Sequence, residues 1–176
     1  IIPTLRVDNM VDECIESFKD QYNELIVVDS KTKSLAEKLN YGMRMSTGDY
    51  LIVSNDDVTA NTGSLEGLCT PHQVVSPVVL GGTTKKFHAH MFCLPRKIYA
   101  DVGGFDESCP GPYHIDSDYW LRLIEAGYIP VISDRVSVNH SHPGSTIKTL
   151  PAKFKDSSIT RQWFINKWGE SRCREV

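Results

Sequence analysis

Tyr50-Leu51-Ile52-Val53-Ser54-Asn55-Asp56-Asp57 is the stretch on which the fold turns. An apolar run too short for a helix stops abruptly at a hydroxyl, an amide and two carboxylates. Such a run, bounded by turn residues, reads as a buried strand. Gly48-Asp49 supplies the turn that leads into it. Upstream, Leu25-Ile26-Val27-Val28 forms a similar β-rich run that ends at Asp29. Before that run, Met10, Cys14, Ile15 and Phe18 share one helical face behind Asp8 and Asn9, either of which can cap. Between the two runs, Ser34-Leu35-Ala36-Glu37 has the spacing of a capping box, with Leu35, Leu39 and Met43 facing inward. Alternation of strand and helix periods predicts an α/β fold. The acidic residues then stand at the C-terminal end of a third parallel strand, where α/β sheets usually bind their ligands.

Downstream the pattern is less regular. Strands are expected at residues 74–80 and 89–93, and a short helix at 96–102 before Gly103-Gly104. A loop, Cys109-Pro110-Gly111-Pro112, leads into Asp116-Ser117-Asp118 and a helix through Leu121, Leu123 and Ile124, closed by Gly127. Residues 129–132 and 136–138 read as edge strands. A final helix over 153–168 carries Phe154, Trp163, Phe164 and Trp168.

The chain has 176 residues, 40% hydrophobic and 23% charged, which fits one compact domain. Lys plus Arg number 19 against 22 Asp plus Glu, a formal charge of -3 that argues against a general binder of nucleic acid or anionic membranes. No apolar run approaches the roughly 18 residues needed to cross a bilayer, so no membrane insertion is expected. Nothing reads as a signal peptide, and the start at Ile1-Ile2-Pro3, without Met, reads as trimmed or processed. The five cysteines include no C-x-x-C pair. A reducing, cytoplasmic compartment is the expectation, with neither a disulfide framework nor a thiolate zinc site.

Several groupings could carry chemistry. Asn55-Asp56-Asp57 has the hard oxygens that hold Mg²⁺ or Mn²⁺ on a diphosphate, although Asn and Asp also simply end strands. Asp116 and Asp118 are two apart at a helix start and point in different directions, one suited to capping and the other to a cleft as general base. His88-Ala89-His90 and His140-Ser141-His142 each place two imidazoles on one face of an extended strand, with the second pair the better candidate for a metal. The aromatic C-terminal helix reads as core or dimer surface, and membrane-surface docking is the lesser reading.

Taken in order, these segments resemble the family 2 glycosyltransferases, which have the GT-A fold, over nearly the whole chain. Ile1-Ile2-Pro3-Thr4 resembles their opening strand and nucleotide-facing turn, and Leu25-Ile26-Val27-Val28-Asp29 their second strand. Asn40-Tyr41-Gly42 and Gly48-Asp49-Tyr50-Leu51 are similar to the steps ahead of the metal motif, where Asn55-Asp56-Asp57-Val58 stands. Gly103-Gly104-Phe105-Asp106, then Asp116-Ser117-Asp118 with Arg122, then Phe164-Ile165-Asn166-Lys167-Trp168-Gly169 complete the likeness. Two departures accompany it. Ser30-Lys31-Thr32 follows Asp29 in place of a longer acidic loop, and Ile115 stands where a Glu usually precedes the catalytic Asp.

The resemblance implies a single GT-A domain, Rossmann-like, with a mixed central sheet flanked by helices. Residues 1–58 form its nucleotide-binding half, 59–150 the acceptor side and 151–176 the C-terminal helix. It implies a hexosyltransferase-type enzyme that moves a sugar, with inversion, from a UDP- or GDP-linked donor to an acceptor hydroxyl of unknown identity. Thr4 and Asp29 would hold ribose and base, helped by Pro3 and Arg6. Asn40, Asn55, Asp56, Gly104 and Asp118 would complete the substrate site. Asp57 and His140 would hold Mn²⁺ or Mg²⁺, and Asp116 would be the base. A homodimer could complete the acceptor site. The alternatives are a nucleotide-sugar or carbohydrate-binding module without catalysis and, third, a metal-dependent hydrolase using His140, His142 and the Asp cluster. A glycosidase is disfavoured, because no separate pair of carboxylates flanks one bond.

Overall fold

The computed structural model describes residues 1–6, 9–81, 87, 89–140 and 157–174. Seven strands and five helices follow in the order β1 (Ile2–Thr4), α1 (Met10–Ser17), β2 (Val27–Asp29), α2 (Leu35–Met45), β3 (Tyr50–Ser54), β4 (Val58–Thr62), β5 (Val75–Leu80), β6 (Met91–Pro95), α3 (Arg96–Val102), α4 (Ile115–Glu125), β7 (Val131–His140) and α5 (Ser158–Trp168). Two short 3₁₀ turns, Leu65–Leu68 and Arg172–Arg174, complete the described elements.

Local chemistry sets the helix ends. Ser34 Oγ accepts from Glu37 N at 3.2 Å while Glu37 Oε2 accepts from Ser34 N at 2.6 Å, so the expected capping box starts α2. The end of α4 is a Schellman motif. Tyr128 N reaches Leu123 O at 2.8 Å and Gly127 N reaches Ile124 O at 2.9 Å, with Gly127 at φ +86°, where a side chain is disfavoured.

The sheet is mixed. β1 pairs with β2 in parallel, and a second group runs β3-β6-β5-β7-β4 with only β5 and β7 parallel. Ile1 joins the two: its nitrogen donates to Ile52 O at 2.8 Å, and Ser54 N donates to its carbonyl at 3.0 Å. Those are the two bonds of a parallel bridge, so β3 runs with β1 on one side and against β6 on the other. The mixed central sheet expected from the sequence is the one observed, with β3 having a parallel neighbour on one side and an antiparallel one on the other.

Side chains alternate across the sheet into two cores. From β3 and β6, Leu51, Val53, Phe92 and Leu94 enter the core beneath α2, α3 and α4. Their neighbours Tyr50, Ile52, Met91 and Cys93 enter the other, with Val11, Cys14 and Phe18 from α1. Every residue of β6 is buried, as a strand covered on both faces requires. Phe92 is the hinge of the first core, with Phe87 at 5.2 Å, Tyr119 at 6.1 Å and Phe105 at 6.3 Å between ring centroids.

One expectation changes. The two edge strands expected at 129–132 and 136–138 are one strand, β7, lying inside the sheet between β5 and β4. Ser133-Asp134-Arg135 looked like a break because β7 bulges there: its register against β5 jumps from Pro77↔Ser133 to Val78↔Ser137. β4, for which the sequence raised no expectation, has polar outer residues, as suits the strand at the edge of the sheet. α5 is described from Ser158, and the expected start near Lys153 lies outside the described residues.

Asn40, on α2, supports the loop after α3. Its Oδ1 accepts from Phe105 N at 2.7 Å, and its Nδ2 donates to Phe105 O at 2.9 Å and to Glu107 Oε1 at 2.8 Å. One amide thus satisfies both backbone groups of the buried Phe105. Asn40→Ala leaves that pair unsatisfied and should cost about 2–3 kcal/mol in urea unfolding. Asn40→Asp, which sets a carboxylate oxygen against Phe105 O and Glu107 Oε1, should lose at least as much.

Candidate functional site

At the end of β3 the chain turns through Asn55, Asp56 and Asp57 into β4. Asn55 N donates to His90 O at 2.8 Å, which ties the turn to the start of β6. Asp56 is 5% exposed, and its Oδ2 accepts from Thr4 Oγ1 at 2.7 Å. Asp57 faces the end of β7, because the antiparallel register pairs Val58 with His140. His140 Nε2 stands 3.3 Å from Asp57 Oδ1, with 7% of each side chain exposed. Among the described residues Asp57 Oδ1 is buried and accepts no hydrogen bond, so the imidazole is in contact but not aligned as a donor. A buried carboxylate oxygen without a hydrogen, beside an imidazole nitrogen, fits a divalent cation with mixed O and N ligands. Among the described residues no group of three such side chains converges.

A polar strip continues from the turn across the ends of β1 and β2. Lys38 Nζ donates to Thr4 O at 2.8 Å. Burial pulls the Lys38 ammonium below the usual lysine value, while Asp29 and Asp56 act in the opposite direction. Arg6 Nε lies 3.3 Å from Asp29 Oδ2, and Arg6 N donates to Thr4 Oγ1 at 3.0 Å. Arg6 takes φ +44°, a left-handed conformation uncommon outside glycine. Beneath the turn, Cys14 Sγ donates to Asn55 O at 3.6 Å, and burial pushes its thiol up to about 12, which makes it an inert packing group.

The two aspartates at the start of α4 have different surroundings. Asp116 is exposed, and its Oδ1 accepts from Ser117 N at 2.9 Å. Asp118 is fully buried. Its Oδ2 accepts from Arg122 Nε at 3.0 Å, and its Oδ1 meets Lys167 Nζ at 2.7 Å and Trp168 Nε1 at 2.9 Å. Lys167 also reaches Asp106 Oδ2 at 2.6 Å. Partial burial pulls the Lys167 ammonium down, but its bonds to Asp106 and Asp118 outweigh that and hold it above the ordinary lysine value. Burial raises Asp106, yet Lys167 and Ser108 together hold it down at about 2.

A separate cavity of about 750 Å³ opens at the other end of β2 and β3, lined by Ile1, Ile15, Tyr22, Leu25, Tyr50 and Cys69 among others. It contains neither Asp57 nor His140.

No family model matches the sequence, and no curated protein matches it significantly. Solved structures do. The catalytic domain of Drosophila β1,4-galactosyltransferase 7, in complex with xylobiose, superposes with a TM-score of 0.65 at 11% identity over 82% of this chain and 65% of that one. Residues 1–349 of S. aureus TarS give 0.60 at 14% identity over 98% of this chain and 72% of that one. The mannosyltransferase PcManGT from Pyrobaculum calidifontis, in complex with GDP-Man and Mn²⁺, gives 0.57 at 15% identity over 81% and 56%. The chain has the GT-A fold. It spans less than two thirds of the galactosyltransferase domain and of the mannosyltransferase.

On this GT-A frame the expected site residues separate into two sets. Thr4, Arg6, Asp29, Asn55, Asp56, Asp57 and His140 gather along the strand ends as described above. The others do not. Pro3 is buried within β1 opposite Val28, a packing residue. Asn40 and Gly104 face each other: a Cβ on Gly104 would lie 2.2 Å from Asn40 Oδ1, so the glycine makes room for the amide that holds its own loop. Asp118 neither caps α4 nor opens to a cleft, since both its oxygens are taken by Arg122, Lys167 and Trp168. The cap position belongs to His114, at φ +64° and without a side-chain cap bond. Phe164 is fully buried, while Trp163 Nε1 donates to Ser108 Oγ at 3.2 Å, so α5 packs on its own chain. No described helix is long and apolar enough to cross a membrane. His88 and His142 lie outside the described residues. Sequence reasoning missed Lys38, which looks like any surface lysine of a capped helix, and ranked His90 low because only the fold brings it to the turn.

The contrast between the two aspartates is measurable. Asp118→Ala strands the Arg122 and Lys167 charges and should cost about 3–5 kcal/mol in chemical unfolding. Asp116→Asn, on an exposed carboxylate, should stay within about 0.5 kcal/mol of wild type.

Proposed function

We propose that this chain is a metal-dependent inverting glycosyltransferase of the family 2 type, acting on a UDP- or GDP-linked sugar and an acceptor hydroxyl. The observation that carries the reading is the buried, hydrogen-bond-free Asp57 Oδ1 beside His140 Nε2 at the strand ends of a GT-A fold. Supporting analogy comes from neighbours of similar fold solved with UDP-Gal and manganese or with GDP-Man and Mn²⁺. Residues 1–58 would then form the nucleotide half of one domain, with the acceptor side following.

In this mechanism Thr4, Asp29 and Arg6 bind ribose and base, with Lys38 beneath them favouring negative charge nearby. Asp57 and His140 would hold Mn²⁺ or Mg²⁺, whose role is to neutralise charge on the leaving diphosphate. Asp56 orients Thr4 through their 2.7 Å bond. The acceptor oxygen attacks the anomeric carbon from the face opposite the diphosphate, the bond from that carbon to the diphosphate oxygen breaks, and the hydroxyl proton passes to Asp116. A positioned base of this kind is worth typically about 10²- to 10⁴-fold. Asp116 suits that role because it is exposed after the 109–114 loop, while Asp118 is committed to the interior.

A binding module without catalysis is the second reading. The Arg6–Asp29 ion pair favours it, since the carboxylate assigned to the base already has a partner.

Release of nucleoside diphosphate from a panel of UDP-, GDP-, CDP- and dTDP-sugars, with Mn²⁺ or with chelator, tests the two readings. Slow, Mn²⁺-dependent hydrolysis of one donor is expected, faster when a sugar acceptor is present. Asp57→Ala should abolish metal-dependent binding of the nucleoside diphosphate. Asp116→Asn should lower turnover about 10²- to 10⁴-fold with donor affinity nearly unchanged. Donor binding without turnover under any acceptor would decide for the module, and wild-type turnover in Asp116→Asn would remove the base assignment.

A further inference from the structure

His90 stands immediately before β6, between Asn55 of the acidic turn and His140. Its carbonyl accepts from Asn55 N at 2.8 Å, and its Nδ1 lies 3.4 Å from Asn55 Nδ2, so main chain and side chain both hold the acidic turn. On the other side its ring stacks on His140, with centroids 3.9 Å apart and planes inclined by 23°. The next residue, Met91, pairs with Ser54 on β3, which fixes where His90 enters the site.

We propose that His90 is the positioning residue of this centre: its ring fixes the plane in which the His140 imidazole presents Nε2 beside Asp57. The need is physical. His140 is the last residue of β7, and its two side-chain torsions must be frozen before Nε2 can serve as a ligand. A flat ring at stacking distance removes the tilt, and the contacts to Asn55 keep that ring in register with the carboxylate side of the pair. His90 thereby transmits the position of the 55–57 turn to a residue far away in sequence. This inference rests on the functional reading above.

The test measures Mn²⁺ binding in the presence of UDP and of GDP by the electron paramagnetic resonance signal of free Mn²⁺, together with the His140 ring-proton shifts of the metal-free chain. His90→Ala should weaken Mn²⁺ about 10- to 100-fold and move the His140 ring signals downfield as the stacked ring is lost. His90→Phe, which restores a flat face without a nitrogen, should bring Mn²⁺ affinity back to within about threefold of wild type, as expected of a residue that acts through another. Equal affinity in His90→Ala and wild type overturns the proposal alone. His90→Phe as weak as His90→Ala also overturns it, since His90 would then act through its nitrogen. Absence of Mn²⁺ binding by the wild type with every nucleoside diphosphate overturns the functional reading and the proposal together. Should His90→Ala lose its circular dichroism signature, His90→Leu takes its place with the same expected loss.

Discussion

A carboxylate removed wholly from water holds the second half of this molecule together. A carboxylate buried this deeply needs opposite charge in contact, and Asp118 has it from two directions: Arg122 from the next turn of its own helix and Lys167 from α5. Arg122 spends its remaining donors on Val102 O at 3.2 Å and Gly104 O at 2.7 Å, which fixes the loop after α3. Gly104 lies against Asn40, so the same network reaches α2. Asp116, two residues before Asp118, is turned by about 200° around the helix. Burying one carboxylate therefore exposes the other.

At the strand ends a second constraint operates. The β4–β7 register fixes His140 beside Asp57, and the β3–β6 register fixes His90 beside Asn55. Residues from three distant segments meet on backbone pairings and not on free loops, which gives a site the precision that binding a cation and a diphosphate demands. The left-handed Arg6 and the buried Lys38 continue this surface along β1 and β2.

Much of this was legible in the sequence where the governing forces are local. The capping box at Ser34 and Glu37, the short helix at 96–102, the β-rich run at 50–53 and the glycine stop at Gly127 each follow from neighbours in the chain. Long-range pairing was not. β7 read as two edge strands because a bulge puts three polar residues in its middle, and β4 was hidden by its polar outer face. Family-like motifs also run together residues with different surroundings: Asn40 and Asp118 are held by hydrogen bonds and ion pairs within the fold, Asp57 and His140 meet at the strand ends, and Asp116 is exposed. A recurring residue type marks importance and does not say which kind.

The central claim is that the end of β3 and the end of β7 form one cation site. The most direct measurement is a crystal structure of the chain with Mn²⁺ and a nucleoside diphosphate, with diffraction data recorded at the manganese absorption edge. The account predicts an anomalous peak bonded to Asp57 Oδ1 and His140 Nε2, at roughly 2.0–2.3 Å from each, and to diphosphate oxygens. A nucleotide bound at the strand ends with no manganese between those two side chains would contradict it.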